Sequence, residues 1–148
     1  MLLPWIVAAT HVLALGIGLG AVWVRARGLR GPLDQAGLRR VFAADAAWGV
    51  AALLWISTGL WRAFGGLEKG TAFYLASHAF HAKMGMLLLI LALEIAPAIA
   101  LVRWRRQAAR GETVDTSRAG RYATTSVIQA LLVVGMVLAA TAMARAMG

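Results

Sequence analysis

Five polar side chains stand in stretches of the chain that are otherwise apolar: His11, Asp45, Lys83, Glu94 and Gln129. In hydrocarbon an ionisable group is costly, so each of the four ionisable ones marks a pathway, a proton relay or a ligand. Each also has a plainer reading. Lys83 sits about four residues inside its apolar run and reaches either a carboxylate or, by snorkelling, the headgroups. Glu94 lies deeper and either carries a proton or stays a protonated acid bonded to a neighbouring helix. Asp45, about four residues from an edge, relays protons or caps and meets headgroups. His11 is about nine residues in; it is either an axial ligand to a metal or a neutral hydrogen-bonding group facing a hydroxyl such as Ser57 or Thr58. His78 and His81 stand at the mouth of the third apolar run.

Spacing sharpens the picture. Lys83 and Glu94 are eleven residues apart, three helical turns within about 20°, and share a face with Met86, Leu87, Ile90 and Pro97. That face is expected to turn inward. The two charges are separated by about 16 Å along the axis and do not pair directly. Depths reckoned at about 1.5 Å per residue put His11, Trp55, Met86 and Met136 in one slab, with Arg62, Lys83 and Arg145 one or two turns outward. A His ligand, a Met as second ligand (Met86 or Met136) and cations for two propionates suit haem b. The other reading is that the Met and Trp side chains fill the core.

Helices must hold these residues. The chain has 148 residues, of which 61% are hydrophobic and 14% charged. Soluble domains run at roughly 45–50% apolar and 25% charged. With a mean hydropathy of +0.73, a chain this small has more apolar surface than a soluble fold could hide. Soluble enzymes, disordered regulators and secreted disulfide scaffolds are excluded, and the absence of Cys excludes thiolate metal sites and Cys nucleophiles. Four segments are long and apolar enough to span a bilayer: about 2–24, 41–64, 79–102 and 122–147. The fold class is therefore all-α, a polytopic four-transmembrane-helix bundle in a single domain over 1–148. Its surroundings are the lipid bilayer, with a homo-oligomer or a larger membrane complex as partner.

The net charge is +9. Eleven of the 15 basic residues fall in two stretches between spans: Arg25, Arg27, Arg30, Arg39 and Arg40, then Arg103, Arg105, Arg106, Arg110, Arg118 and Arg121. Read as loops, these are an orientation signal and a match for anionic headgroups rather than a nucleic-acid surface. Both loops then face the cytoplasm, and both termini the periplasm. The connection from Gly65 to His78 carries only Glu68 and Lys69. The first span has no basic start and too long an apolar run for a cleaved signal, so it stays as a helix. Gly28-Leu29-Arg30-Gly31-Pro32 and Gly111-Glu112-Thr113 break the helices on either side of these loops. Small residues are expected at helix contacts: Gly16, Gly18 and Gly20, the stripe Asp45, Gly49, Ala52, Ile56, Gly59 and Ala63, and the pair Gly135 and Ala139. Trp5, Trp61 and Trp104 read as interfacial anchors.

The stretches 10–16 (THVLALG), 43–49 (AADAAWG), 66–71 (GLEKGT) and 80–85 (FHAKMG) resemble a bacterial family of four-span membrane proteins of unknown function, over nearly the whole chain. In plan the chain is also similar, more distantly, to the HemJ-type protoporphyrinogen oxidases and to the copper-resistance D membrane proteins. HemJ-type proteins bind haem b in four membrane helices and oxidise protoporphyrinogen. The resemblance rests on His11 after Pro4-Trp5-Ile6, on Lys83 early in the third span and on Arg121-Tyr122 before the fourth. It implies haem at His11 in a bacterial inner membrane. The chain departs from that pattern twice. Glu94 stands where the oxidases have a His, and Arg25 and Arg27 stand where they have a second His near the end of the first span. Porphyrinogen oxidation is put in doubt by both.

Three functions follow as expectations. One is a haem b- or porphyrin-binding redox protein with His11 as ligand, Met86 or Met136 opposite, Lys83 and Arg62 on carboxylates, and Asp45 and Glu94 handling protons. The second is an accessory or assembly subunit. The third is a small transporter or proton pathway through Asp45, Lys83 and Glu94.

Overall fold

Helix hydrogen bonds form regardless of side-chain polarity and continue until a breaker stops them. The computed structural model, which describes residues 2–64 and 78–145, accordingly has helices longer than the apolar runs. They are α1 (Leu2–Arg30), α2 (Gln35–Phe64), α3 (His78–Ala109) and α4 (Ala119–Ala144). All four are long and apolar enough to cross a membrane. At about 1.5 Å per residue they exceed a hydrocarbon core of about 30 Å. The excess lies at one end of the bundle, the basic end. There the arginines read as loop residues are mostly helical: Arg25, Arg27 and Arg30 close α1, Arg39 and Arg40 open α2, Arg103, Arg105 and Arg106 close α3, and Arg121 opens α4. Of that group, only Arg110 and Arg118 remain between helices. The apolar run measures the bilayer, whereas the breakers measure the helix. The connection 65–77, with Glu68 and Lys69, and the sequence-read end of the fourth span at 146–147 lie outside the described residues.

The helix ends at the basic side are chemically explicit. Asp34 caps α2, its Oδ1 accepting from Gly37 N at 2.8 Å. A Cβ at Gly37 would overlap the carbonyl oxygen of Pro32. Gly111 stands at φ 70° just past α3. Its N–H bonds Ala108 O at 3.1 Å and Glu112 N bonds Gln107 O at 2.9 Å, which is the Schellman pattern that needs a left-handed residue. Asp115 Oδ1 accepts from Ser117 N at 3.1 Å in the turn before α4. That hydrogen bond, helped by the Ser117 hydroxyl, holds the Asp115 carboxyl below its ordinary value.

α1 is the central helix, packed on α2 and α4, and α3 packs on α4. Its buried residues, Val7, His11, Ala14, Gly18, Ala21, Val22, Arg25, Ala26 and Leu29, recur at three- and four-residue steps. Two apolar clusters fill the interior. The larger joins Ala14, Val22, Trp48, Trp55, Leu87, Ile90, Val133 and Met136. The smaller, at the basic end, joins Leu29, Val41, Leu101, Trp104, Ala119 and Ala123. Trp104 is thus no interfacial anchor: it is 4% exposed and sits edge-on to Tyr122 at 6.0 Å. Trp5 and Trp61 are exposed.

The glycine expectations divide. Gly18 packs on Ala51 and Trp48, and Gly135 on Met86, but Gly16, Gly20 and Gly49 have open space where a Cβ would lie. Three- and four-residue spacing alone does not say which side of a helix has a neighbour. Substituting Ala is therefore expected to act oppositely at two sites. Gly20→Ala should be neutral or stabilise by up to about 1 kcal/mol through helix propensity. Gly37→Ala should lower the melting temperature in detergent, because the clash is with backbone that cannot swing aside.

Candidate functional site

Arg25 continues the buried face of α1 and is 0% exposed, between the two apolar clusters. A guanidinium has five N–H donors, and here every one is used. Nε donates to Ser126 Oγ at 3.0 Å. Nη1 donates to Asp45 Oδ1 at 2.9 Å and Glu94 Oε2 at 3.0 Å. Nη2 donates to Glu94 Oε1 at 2.9 Å and Gln129 Oε1 at 2.7 Å. The contact with Glu94 is the parallel two-bond fork that arginine makes with a carboxylate. One residue of α1 thereby ties α2, α3 and α4 together.

The partners are themselves held. Gln129 Nε2 donates to Ile90 O and Glu94 Oε1, both at 3.1 Å. Ser126 Oγ passes its own hydrogen to Tyr122 O at 2.8 Å. Trp48 Nε1 donates to Glu94 Oε1 at 3.2 Å. Asp45 Oδ2 accepts from Arg105 Nη2 at 3.0 Å. The same nitrogen donates to Phe42 O at 2.9 Å, and the guanidinium lies over the Phe42 ring at 5.4 Å. Two arginines and two carboxylates give a formal sum of zero. A buried ion cluster needs this balance, because an uncompensated charge in low dielectric is far more costly than a paired one.

The cluster is not uniformly enclosed. Side-chain exposure is 0% for Arg25, 13% for Asp45, 25% for Glu94 and 39% for Arg105. The exposed members lie between α2 and α3, whose backbones approach less closely than those of the three packed pairs. Side chains close that seam: Trp48 to Glu94, and Arg105 to Asp45 and to Phe42.

Of the residues singled out from sequence, the structure joins Asp45, Glu94 and Gln129 in this cluster. Glu94 is not held by neutral neighbours alone, as an isolated intramembrane acid would be: Trp48 and Gln129 bond it, but Arg25, which belongs to α1 rather than to a loop, pairs with it as an ion. Likewise Asp45 reaches Arg25 and Arg105 rather than a helix cap. His11 stands apart. Its Nδ1 meets Trp55 O and Thr58 Oγ1, both at 3.0 Å. A carbonyl only accepts, so Nδ1 carries a proton. Thr58 gives its own hydrogen to Leu54 O at 2.7 Å, and it too accepts from His11. The ring edge rests near Gly59, where a Cβ would lie 3.0 Å from Cε1. Met136 is buried beside Trp55 in the larger cluster, with Met86 packed against it. Lys83 and Arg62 are half-buried toward the other end.

Sequence reasoning missed Arg25, Arg105, Trp48 and Ser126 as site residues. A signal for Arg25 was present: it lies fourteen residues after His11, four turns within about 40°, on the same face. Of Arg25, Arg27 and Glu94, the residues at which the chain departs from the oxidase pattern, Arg25 and Glu94 are bonded to each other.

Four long apolar helices around a charge-balanced polar cluster define an integral membrane protein of the helical-bundle class. The chain belongs to the family described as Predicted membrane protein (DUF2214), whose model matches residues 3–148. No curated protein and no solved structure matches it. The comparisons do not show a likeness to HemJ-type oxidases or to copper-resistance D proteins.

Proposed function

We propose that the chain is a small membrane transporter or proton pathway in which Glu94 takes up and releases the proton. One observation carries this reading: the Glu94 carboxylate is locked on a fully buried arginine yet is the most exposed acid of the cluster, at 25%, and faces the loosely joined seam. Protonation removes its charge and loosens the fork. Lys83 lies three turns along the same face of α3 toward the opposite end. In proteoliposomes with an entrapped pH dye, in a buffer of chloride, phosphate and small carboxylates, an acid jump should drive proton influx above protein-free vesicles. Glu94→Gln should abolish it; an unchanged rate in that variant overturns the reading.

Haem b at His11 is a second reading, favoured by the Trp55 carbonyl at Nδ1. That contact sets the tautomer that offers Nε2 as a ligand. Trp55, Met86 and Met136 fill the adjacent level, so a porphyrin there has to displace them. Protein from cells supplied with a haem precursor should show a Soret band that His11→Ala removes; a colourless protein overturns it. An accessory role is favoured by Gly16 and Gly20, which face away from the bundle, and co-purification of another membrane protein tests it.

The location we propose is the bacterial inner membrane, with the basic end in the cytoplasm and both termini in the periplasm. The native chain has no Cys, so single-cysteine probes are clean. A probe at Lys69 should react with an impermeant reagent from the periplasmic side and one at Arg110 should not; the opposite pattern reverses the orientation.

A further inference from the structure

Arg25 is a buried cation whose two-pronged face is occupied by a carboxylate of the chain itself. We propose that when Glu94 takes a proton, a small carboxylate anion replaces it on Arg25, so that a proton and a monoanion cross together. This rests on the reading of Glu94 given above and names the second substrate.

With Glu94 ionised, the cluster sums to zero. Adding a proton leaves one positive charge in a fully buried guanidinium, the costly state for an ion out of water. One monoanion restores the balance. A cation would double the imbalance, and a dianion would reverse it.

At Glu94 the carboxylate oxygens receive Arg25 Nη1 and Nη2, Trp48 Nε1 and Gln129 Nε2. If the neutral acid turns away, those four N–H groups converge on the place its two oxygens held. A planar group with two acceptor oxygens fits the fork as Glu94 does. Because the vacated space is that of one carboxyl group beside the seam, the anion is small.

Among the described residues, the charged groups that face Glu94 are few. α1 supplies Arg25. α2 supplies Asp45, which shares Arg25 Nη1 and is also held by Arg105 of α3. α4 supplies only the uncharged Ser126 and Gln129. Asp45 has two arginines and is 13% exposed, whereas Glu94 has one and is 25% exposed. Glu94 is therefore the acid free to exchange, and Asp45 keeps Arg25 in place while it does so.

The test uses the full chain in proteoliposomes, with an entrapped pH dye and radiolabelled pyruvate as the probe. An inward proton gradient should accelerate pyruvate uptake, each proton crossing with one pyruvate, and clamping the membrane potential should not change the rate. Arg25→Lys keeps the charge and loses the fork, so proton influx and pyruvate uptake should fall together in protein that still elutes as a single species from gel filtration. Glu94→Gln should leave pyruvate exchange that no longer responds to the gradient. Proton influx at one rate with or without pyruvate overturns the coupling and leaves the proton pathway standing. Pyruvate uptake that ignores the gradient in the native chain, or uptake of choline in its place, also overturns the coupling. If neither proton nor pyruvate crosses faster than in protein-free vesicles, both readings fall.

Discussion

Arg25→Met is expected to cost about 3–5 kcal/mol of bundle stability, the range for removing one partner of a buried ion cluster. The substitution conserves much of the volume and removes all five donors. Glu94 loses both of its arginine bonds, Asp45 keeps only Arg105, and Ser126 and Gln129 each lose the donor to their side-chain oxygen. The loss should appear as a lower midpoint when the purified protein is titrated from mild detergent into a denaturing one. A second substitution separates charge from packing. Arg25→Met combined with Glu94→Leu removes the ion pair as a unit and should recover a good part of the loss, since apolar replacement of a whole buried pair is often neutral or stabilising. Arg25→Lys should fall between, keeping a cation without the fork. A single Arg25→Met that melts within about 0.5 kcal/mol of the native chain, the range of ordinary surface substitutions, would mean that Arg25 turns to the headgroups instead.

The four spans were readable from the sequence because span length and apolar content answer to one physical quantity, the thickness of the hydrocarbon. The inward face of α3 was readable for a related reason. Lys83, Met86, Leu87, Ile90, Glu94 and Pro97 cannot share a lipid-facing stripe at acceptable cost, and Leu87, Ile90 and Pro97 are indeed buried. Arg25 was not readable in this way. The rule that assigns basic residues to loops counts arginines beside apolar runs and does not ask which helix face they continue. Arg27 and Arg30, on the same last turns of α1, are helical too, but they are exposed as that rule expects of basic residues at a span end. Arg25 differs from them only in angle. Composition cannot carry angle, and the angle matters only because Asp45 and Glu94 on other helices happen to lie at the same depth. The glycines fail for the same reason: Gly18 touches α2 while Gly16 and Gly20, a few residues away, face outward. His11 was legible as a mid-depth polar group with a hydroxyl partner, and Thr58 is that partner.

Glu94→Leu should also destabilise strongly, by about 2–5 kcal/mol, the cost of truncating one member of a hydrogen-bonded charge pair. The lower half of that range is expected, because partial exposure lets water reach the stranded donors. Leucine removes an acceptor from four bonds at once: two from Arg25 and one each from Trp48 and Gln129. Glu94→Gln should cost less, since its carbonyl oxygen still accepts. Its amide nitrogen, however, must then face a donor of Arg25 or turn toward the seam. The expected order of melting temperatures in one detergent is native, then Gln, then Leu. A Leu variant as stable as the native chain would put the Glu94 side chain in lipid or water and dissolve the cluster. The same pair of variants separates stability from transport. Gln keeps most of the fold but cannot gain or lose a proton near neutral pH, so the acid-jump response should vanish in a protein that remains intact. If the response instead falls in proportion to stability across the two variants, Glu94 holds the helices together and the proton moves elsewhere.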